Sequence, residues 1–148
     1  MQQTPAQQSV EARHHVLLIM WGAFLASIVI YFLVAYFVRP AGMGDGGGDN
    51  NLVIIIVLMM AGVSMVVLSF VIKNGLLAQA ASRQRINSVQ VAYIVAFALC
   101  ESAALMGLVA TFITAEAYSF LLFVIGAVGL LLHMPRRDHL LAAASFKK

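Results

Sequence analysis

Four long stretches of apolar residues dominate this sequence and limit what it can fold into. A helix rises about 1.5 Å per residue, so about 20 apolar residues are needed to cross the hydrocarbon core of a bilayer, which is about 30 Å thick. The four stretches approach or exceed that length, and the fourth is the shortest. They cover residues 16–38, 52–72, 89–114 and 118–134. The sequence therefore predicts four membrane-spanning segments.

Composition and pattern both favour an all-α integral membrane protein. The chain is 62% hydrophobic and only 10% charged, whereas soluble domains are about half apolar and about a quarter charged. The apolar residues form continuous runs, which are typical of membrane helices and differ from the alternating pattern of a membrane barrel. This composition and this pattern exclude a soluble globular fold. The single cysteine also excludes an internal disulfide.

Polar segments separate the apolar stretches and predict how the helices are connected. Arg39-Pro40 and a glycine-rich run predict a loop after the first helix. Asn74-Gly75 predicts the end of the second helix, and a tight turn around Glu116 predicts an antiparallel hairpin of the last two helices. We therefore expect four transmembrane helices arranged as two antiparallel hairpins.

These boundaries divide the chain into three regions. Residues 1–15 are a polar N-terminal tail, residues 16–134 are the four-helix transmembrane domain, and residues 135–148 are a basic C-terminal tail. The last region alternates basic with apolar residues. This pattern predicts an amphipathic segment that lies along the inner leaflet and binds anionic headgroups.

Basic residues are distributed unevenly between the two sides that these helices define. Arg39 alone lies on one side, and eight of the nine basic residues lie on the side that holds both termini. The positive-inside rule places the more basic side in the cytoplasm. We therefore expect a multi-pass protein of the cell inner (plasma) membrane with both termini cytoplasmic. The eight residues are Arg13, Lys73, Arg83, Arg85, Arg136, Arg137, Lys147 and Lys148.

Aromatic and histidine side chains are expected at the membrane interface. Amphipathic rings prefer the boundary between hydrocarbon and water, and four of them lie near helix ends. The predicted aromatic anchors are Trp21, Tyr36, Tyr93 and Tyr118. Four histidines on the basic side are interpreted as ordinary polar side chains at the interface, although together they could bind a metal. They are His14, His15, His133 and His139. No metal or cofactor is predicted.

Glu101 is the single Asp, Glu, Lys or Arg within the four apolar stretches. It is the thirteenth of the 26 residues of the third stretch and so lies near the bilayer midplane. A charged side chain there costs at least about 3 kcal/mol on insertion scales. No cation lies mid-span in any stretch, so we expect a carboxyl that is protonated much of the time and exchanges a proton where water reaches it.

Small residues accompany Glu101 along the same predicted helix. Cys100, Ala103 and Gly107 belong to a stripe that lets helices approach closely, and Ser102 is the neighbouring hydroxyl. The predicted site is therefore Glu101 as the proton-binding group, surrounded by these four packing residues. No Ser-His-acid set, Cys-His pair or close carboxylate pair exists at membrane depth, so independent catalysis is not expected.

Residues 97–112 carry a family resemblance. Their sequence, FALCESAALMGLVATF, places an acid shortly after an Ala-Leu pair and before a run rich in small residues, Leu and Val. This segment resembles the second helix of the proteolipid (c) subunit of F-type and V-type rotary ATP synthases. The preceding Arg83-Gln84-Arg85 resembles the polar, Arg-containing loop between the hairpin helices of that family.

The resemblance implies a proton-translocating role within a larger assembly. It matches Glu101 to the ion-carrying carboxylate of the family and implies a homo-oligomer or other membrane subunits as partners. A proton is favoured over sodium because a sodium site needs several oxygen ligands, and the second stretch offers only Ser64 and Ser69.

A structural role is the alternative that the residues leave open. In this interpretation the protein is a non-catalytic structural or assembly subunit, and Glu101 is permanently protonated. The carboxyl then hydrogen-bonds a neighbouring helix and serves only in helix packing.

Overall fold

The computed structural model describes residues 5–38, 49–83, 86–114, 116–136 and 138–140. Nearly all of these residues are helical, and none of them forms a strand. The helices are α1 (Pro5–Val38), α2 (Asp49–Arg83), α3 (Ile86–Thr114) and α4 (Phe120–Leu132), and a short 3-10 turn, Ala117–Ser119, precedes α4. The predicted all-α class is confirmed.

Three of the helices contain segments that are long and apolar enough to cross a membrane. These segments are Val10–Val38, Asn51–Ala80 and Ser88–Thr114, and the apolar helical segment Ala117–Leu132 is shorter. Large apolar side chains cover the outer faces of the helices, such as Ile19, Met60 and Val124. Soluble monomers rarely expose large apolar surfaces, so the exposed apolar faces are consistent with contact with lipid.

Helix α3 lies at the centre of the bundle and packs against the other three helices, most extensively against α2. Helix α1 packs against α3 and α4. The guanidinium of Arg13 donates to the Gln90 side chain over 3.1 Å, and the Trp21 indole donates to the Leu130 carbonyl over 2.8 Å. The start of α1, the start of α3 and the residues after α4 therefore lie at one end, which we call the basic end. The division into two hairpins stays a prediction.

Glycines allow α3 and α4 to pack with their backbones close together. A Cβ atom on Gly126 would lie 2.8 Å from the Cys100 carbonyl oxygen, and one on Gly107 would lie 2.9 Å from the Leu122 Cβ. Neither position has room for a larger residue. Such contacts between small residues are the usual basis of helix association in lipid, where the hydrophobic effect does not drive it.

The predicted end of the second helix at Asn74-Gly75 is wrong. Helix α2 continues through both residues to Arg83. A glycine inside a helix costs only about 1 kcal/mol, and the residues that follow are strong helix formers. Ala80 is fully buried, and Leu77 packs against the buried core, so tertiary contacts also stabilise this extension.

Other predicted boundaries shift or lie outside the described residues. Helix α1 begins at Pro5, within the predicted polar tail, because proline suits the first position of a helix. The glycine-rich loop falls in residues 39–48, and Gln84 and Arg85 follow α2; none of these is described. Of the C-terminal tail, residues 141–148 are also outside the described part.

Candidate functional site

The carboxyl of Glu101 lies at the contact between α3 and α1. Its Oε1 accepts hydrogen bonds from the Ser27 hydroxyl over 2.5 Å and from the Tyr31 hydroxyl over 3.0 Å. Ser27 and Tyr31 are four residues apart, so they lie on the same face of α1, one turn apart. Two successive turns of α1 therefore direct hydroxyls to one oxygen of Glu101.

The site lies at the edge of the bundle. Glu101, Ser27 and Tyr31 are all partly exposed, and Ala98 and Leu105, one turn before and after Glu101, are exposed. Within the described part of the chain, Oε2 of Glu101 makes no hydrogen bond. Among the described residues, Oε1 is therefore hydrogen-bonded to α1 and Oε2 has no hydrogen bond.

This arrangement accommodates both protonation states of the carboxyl. The ionised form uses Oε1 to accept from both hydroxyls, and the neutral form carries its proton on Oε2 while Oε1 keeps both hydrogen bonds. No cation of the described residues forms an ion pair with Glu101. Gaining or losing the proton therefore requires no rearrangement of Ser27 or Tyr31.

Neither hydrogen-bond partner of Glu101 was predicted. The predicted neighbouring hydroxyl, Ser102, donates instead to the Ala98 carbonyl over 2.8 Å, and Thr111 of the same helix donates to the Gly107 carbonyl over 2.8 Å. These bonds satisfy the side chains within α3. The spacing of Ser27 and Tyr31 in the middle of the first apolar stretch was the available signal.

The four predicted packing residues differ in burial. Cys100 and Ala103 are completely buried, and Gly107 is buried at the contact with α4, whereas Ser102 is partly exposed. The thiol of Cys100 lies 3.7 Å from the Ser69 hydroxyl. The small-residue face of α3 therefore packs against α2 and α4, and the neighbouring face, which bears Glu101, packs against α1.

A second polar group lies inside the bundle near its basic end. His133 is completely buried; its Nε2 lies 3.2 Å from the Ser69 hydroxyl, and its Nδ1 lies 2.7 Å from the Gly129 carbonyl. Because a carbonyl only accepts, Nδ1 carries the proton. The His133 side chain therefore packs between α4 and α2, and its position at the interface stays a prediction.

The remaining histidines differ in burial. His14 is buried, and its Nε2 lies 3.4 Å from the Pro135 carbonyl, whereas His15 is exposed. His139 is partly exposed, with its ring 6.3 Å from the ring of Tyr93. No cluster of three His, Cys, Asp or Glu side chains that could hold a metal occurs among the residues that the structure describes.

The predicted aromatic anchors differ in exposure. Tyr36 and Tyr118 are exposed. Trp21 is partly exposed and hydrogen-bonded to Leu130. Tyr93 is only 1% exposed, so its ring packs inside the bundle.

Comparison with protein-family models, with curated proteins and with solved structures found no match to this chain.

Proposed function

We propose that this protein is a small multi-pass membrane protein in which Glu101 reversibly binds a proton. The observation that carries the proposal is the asymmetric hydrogen bonding of its carboxyl. Ser27 and Tyr31 hold Oε1, while Oε2 has no hydrogen bond from the described residues. A mid-span acid that keeps its contacts in both protonation states is suited to proton exchange.

The resemblance of residues 97–112 to the rotary ATP synthase c subunit supports the same role. On this proposal the protein is not an enzyme by itself and acts, at most, as a proton-translocating subunit of a larger complex. Its partners are further copies of the chain or other transmembrane helices. The basic end faces the cytoplasm of a plasma membrane, in accordance with the positive-inside rule.

The geometry also favours a second candidate, in which Glu101 only stabilises helix packing. Both of its donors belong to α1, so the two hydrogen bonds join α1 to α3. Hydrogen bonds between membrane helices contribute about 0.6 kcal/mol on average and at most about 1.7 kcal/mol. In this case the protein is a structural or assembly subunit.

Two substitutions of Glu101 separate these candidates. Glu101→Gln keeps a carbonyl oxygen that accepts from Ser27 and Tyr31 but removes the titratable proton. Glu101→Met removes both the hydrogen-bond acceptor and the titratable proton while keeping a similar side-chain volume. If Glu101 carries a proton, Glu101→Gln abolishes proton flux through membranes containing the protein and its complex, yet the complex still assembles. If Glu101 only packs helices, Glu101→Gln leaves flux and assembly unchanged and Glu101→Met impairs assembly.

Labelling with a membrane-permeant carbodiimide gives an independent test, because the reagent reacts with protonated carboxyls. We expect modification of Glu101, located by peptide mass spectrometry, that decreases as pH rises. Tyr31→Phe removes one hydrogen bond to Oε1 and should change the pH at which reactivity is lost. A carboxyl that is unreactive at every pH in folded protein would contradict proton exchange and support the packing role.

A further inference from the structure

Lys73 is held between two aromatic rings near the basic end of the bundle. Its ammonium nitrogen lies 5.6 Å from the ring centroid of Phe70 and 5.6 Å from that of Tyr93. Phe70 precedes it on α2, and Tyr93 belongs to α3. Cation–π contacts of this kind restrict a long flexible side chain to one place. The charge of Lys73 is therefore positioned at the junction of α2 and α3.

Tyr93 also contacts the segment that follows α4. Its hydroxyl accepts a hydrogen bond from the backbone N–H of Arg136 over 3.4 Å, and its ring lies 6.3 Å from the ring of His139. One buried tyrosine thus brings Lys73 of α2 together with Arg136 and His139 of the C-terminal segment. We call Lys73, Tyr93, Arg136 and His139 the Tyr93 cluster.

The Tyr93 cluster has an excess of positive charge. Burial lowers the pKa of His139, and the charges of Lys73 and Arg136 lower it further, whereas Asp138 raises it. The Lys73 ammonium and the Arg136 backbone N–H both contact Tyr93. Neither basic residue forms an ion pair with a carboxylate of the described residues. Two basic residues that contact one tyrosine without an ion-paired acid favour an anion at this place.

We propose that Lys73 and Arg136, gathered around Tyr93, bind a phosphate group at the membrane interface. Lysine supplies a point charge and arginine a planar set of donors, which are the groups that bind phosphate in proteins. Basic pockets between transmembrane helices are known sites for lipid headgroups. The ligand is the phosphodiester of an anionic phospholipid or free phosphate, and the location within the apolar segments of α2 and α3 favours the lipid. This site is independent of Glu101.

Native mass spectrometry of the full chain in detergent tests this proposal, with phosphatidylglycerol as the probe. We expect one phosphatidylglycerol to bind more tightly than the next. Lys73→Gln and Arg136→Gln should each raise the Kd of that first lipid about five-fold, as expected for one basic residue near a lipid surface. Phosphatidylcholine has no net charge, so we expect it to bind the unmodified chain and the variants with the same Kd.

The double variant Lys147→Gln/Lys148→Gln is the matched control. It removes two positive charges from the last two residues of the chain. The double variant Lys73→Gln/Arg136→Gln removes the same number of charges from the proposed site. We expect the terminal variant to bind the first lipid as the unmodified chain does. If the terminal variant loses the first lipid and the Lys73 and Arg136 variants keep it, the lipid headgroup binds to the C-terminal tail. That result would overturn the proposed site.

Two further measurements complete the test. Millimolar inorganic phosphate that displaces the first lipid would identify free phosphate as a ligand of this site, and absence of displacement would restrict the site to lipids. Lys73→Arg keeps the charge and should retain the lipid. The Arg136 side chain is exposed, so Arg136→Gln should fold normally; unaltered lipid binding by this variant alone would contradict the proposal.

Discussion

The imidazole of His133 and the hydroxyl of Ser69 lie 3.2 Å apart, although 64 residues separate them in the chain. The contact joins α2 to the residue that follows α4. Nδ1 of His133 is committed to the Gly129 carbonyl, so neutral His133 offers Nε2 as an acceptor. The Ser69 hydroxyl also lies 2.6 Å from the Val66 carbonyl. Because the hydroxyl has a single proton, it donates either to that carbonyl or to Nε2 of His133 at any one time.

The stability of the folded bundle should decrease as the solution becomes acidic. Burial and the charges of Lys73 and Arg136 lower the pKa of His139 below 6.5, so the unfolded chain binds more protons than the folded one. The stabilisation is present above pH 6.5 and is lost as pH falls from there toward the folded-state pKa. Thermal unfolding of the detergent-solubilised protein between pH 8 and pH 5, about the range in which histidine titrates, measures this effect.

A histidine variant serves as the control for that measurement. His139→Gln should flatten the dependence of the unfolding midpoint on pH, because the pKa of His139 is lowered in the folded chain. A midpoint that rises as pH falls from 7 to 5 would contradict a neutral His139 imidazole packed near Tyr93.

Removing the acceptor for Ser27 and Tyr31 should weaken the contact between α1 and α3. We expect Glu101→Met to lower the free energy of unfolding by about 1–2 kcal/mol, the sum of two interhelical hydrogen bonds. Glu101→Gln should cost less than half of that, because the amide oxygen still accepts. Unfolding in mixed micelles measures the difference. Adding Tyr31→Phe to Glu101→Met should have little further effect if the two residues interact directly.

Two glycines should respond very differently to an added methyl group. In Gly126→Ala, the new Cβ would lie 2.8 Å from the carbonyl oxygen of Cys100, and backbone cannot move aside without separating α3 from α4. We expect a loss of about 1–3 kcal/mol, the usual cost of overpacking. Gly22→Ala on α1 has no atom within 4 Å of its Cβ and should be tolerated. Equal effects of the two substitutions on unfolding would contradict this packing.

The hydrogen bond from the Trp21 indole to the Leu130 carbonyl should contribute to the docking of α1 on α4. Trp21→Phe removes the donor and some packed area, so we expect a destabilisation of about 0.5–1.5 kcal/mol. Tyr36→Phe is the matched control, because the Tyr36 side chain is exposed and should change stability little. Chemical unfolding of both variants tests the difference, and a Trp21→Phe protein as stable as the original would show that the bond contributes nothing.

Several features of the site could not be predicted from the sequence. Glu101 was identified from its position alone, because an acid at the centre of an apolar stretch is visible without knowing any partner. Ser27 lies 74 residues away, and only the packing of α1 on α3 brings it to the carboxyl. The burial of His133 depends on how α4 packs against Ser69, which its position in the sequence does not show.

Local properties of the chain determined its helical class, the positions of its apolar segments and the place of Glu101 within one of them, since each of these follows from summed hydropathy and from a rise of about 1.5 Å per residue. Tertiary structure decided which hydroxyls reach Glu101, the burial of His133 and the gathering of Lys73 and Arg136 around Tyr93. It also decided that α2 continues past Asn74-Gly75. These features depend on how helices face one another, and continuous apolar stretches carry little information about that, because every face of such a helix is compatible with lipid.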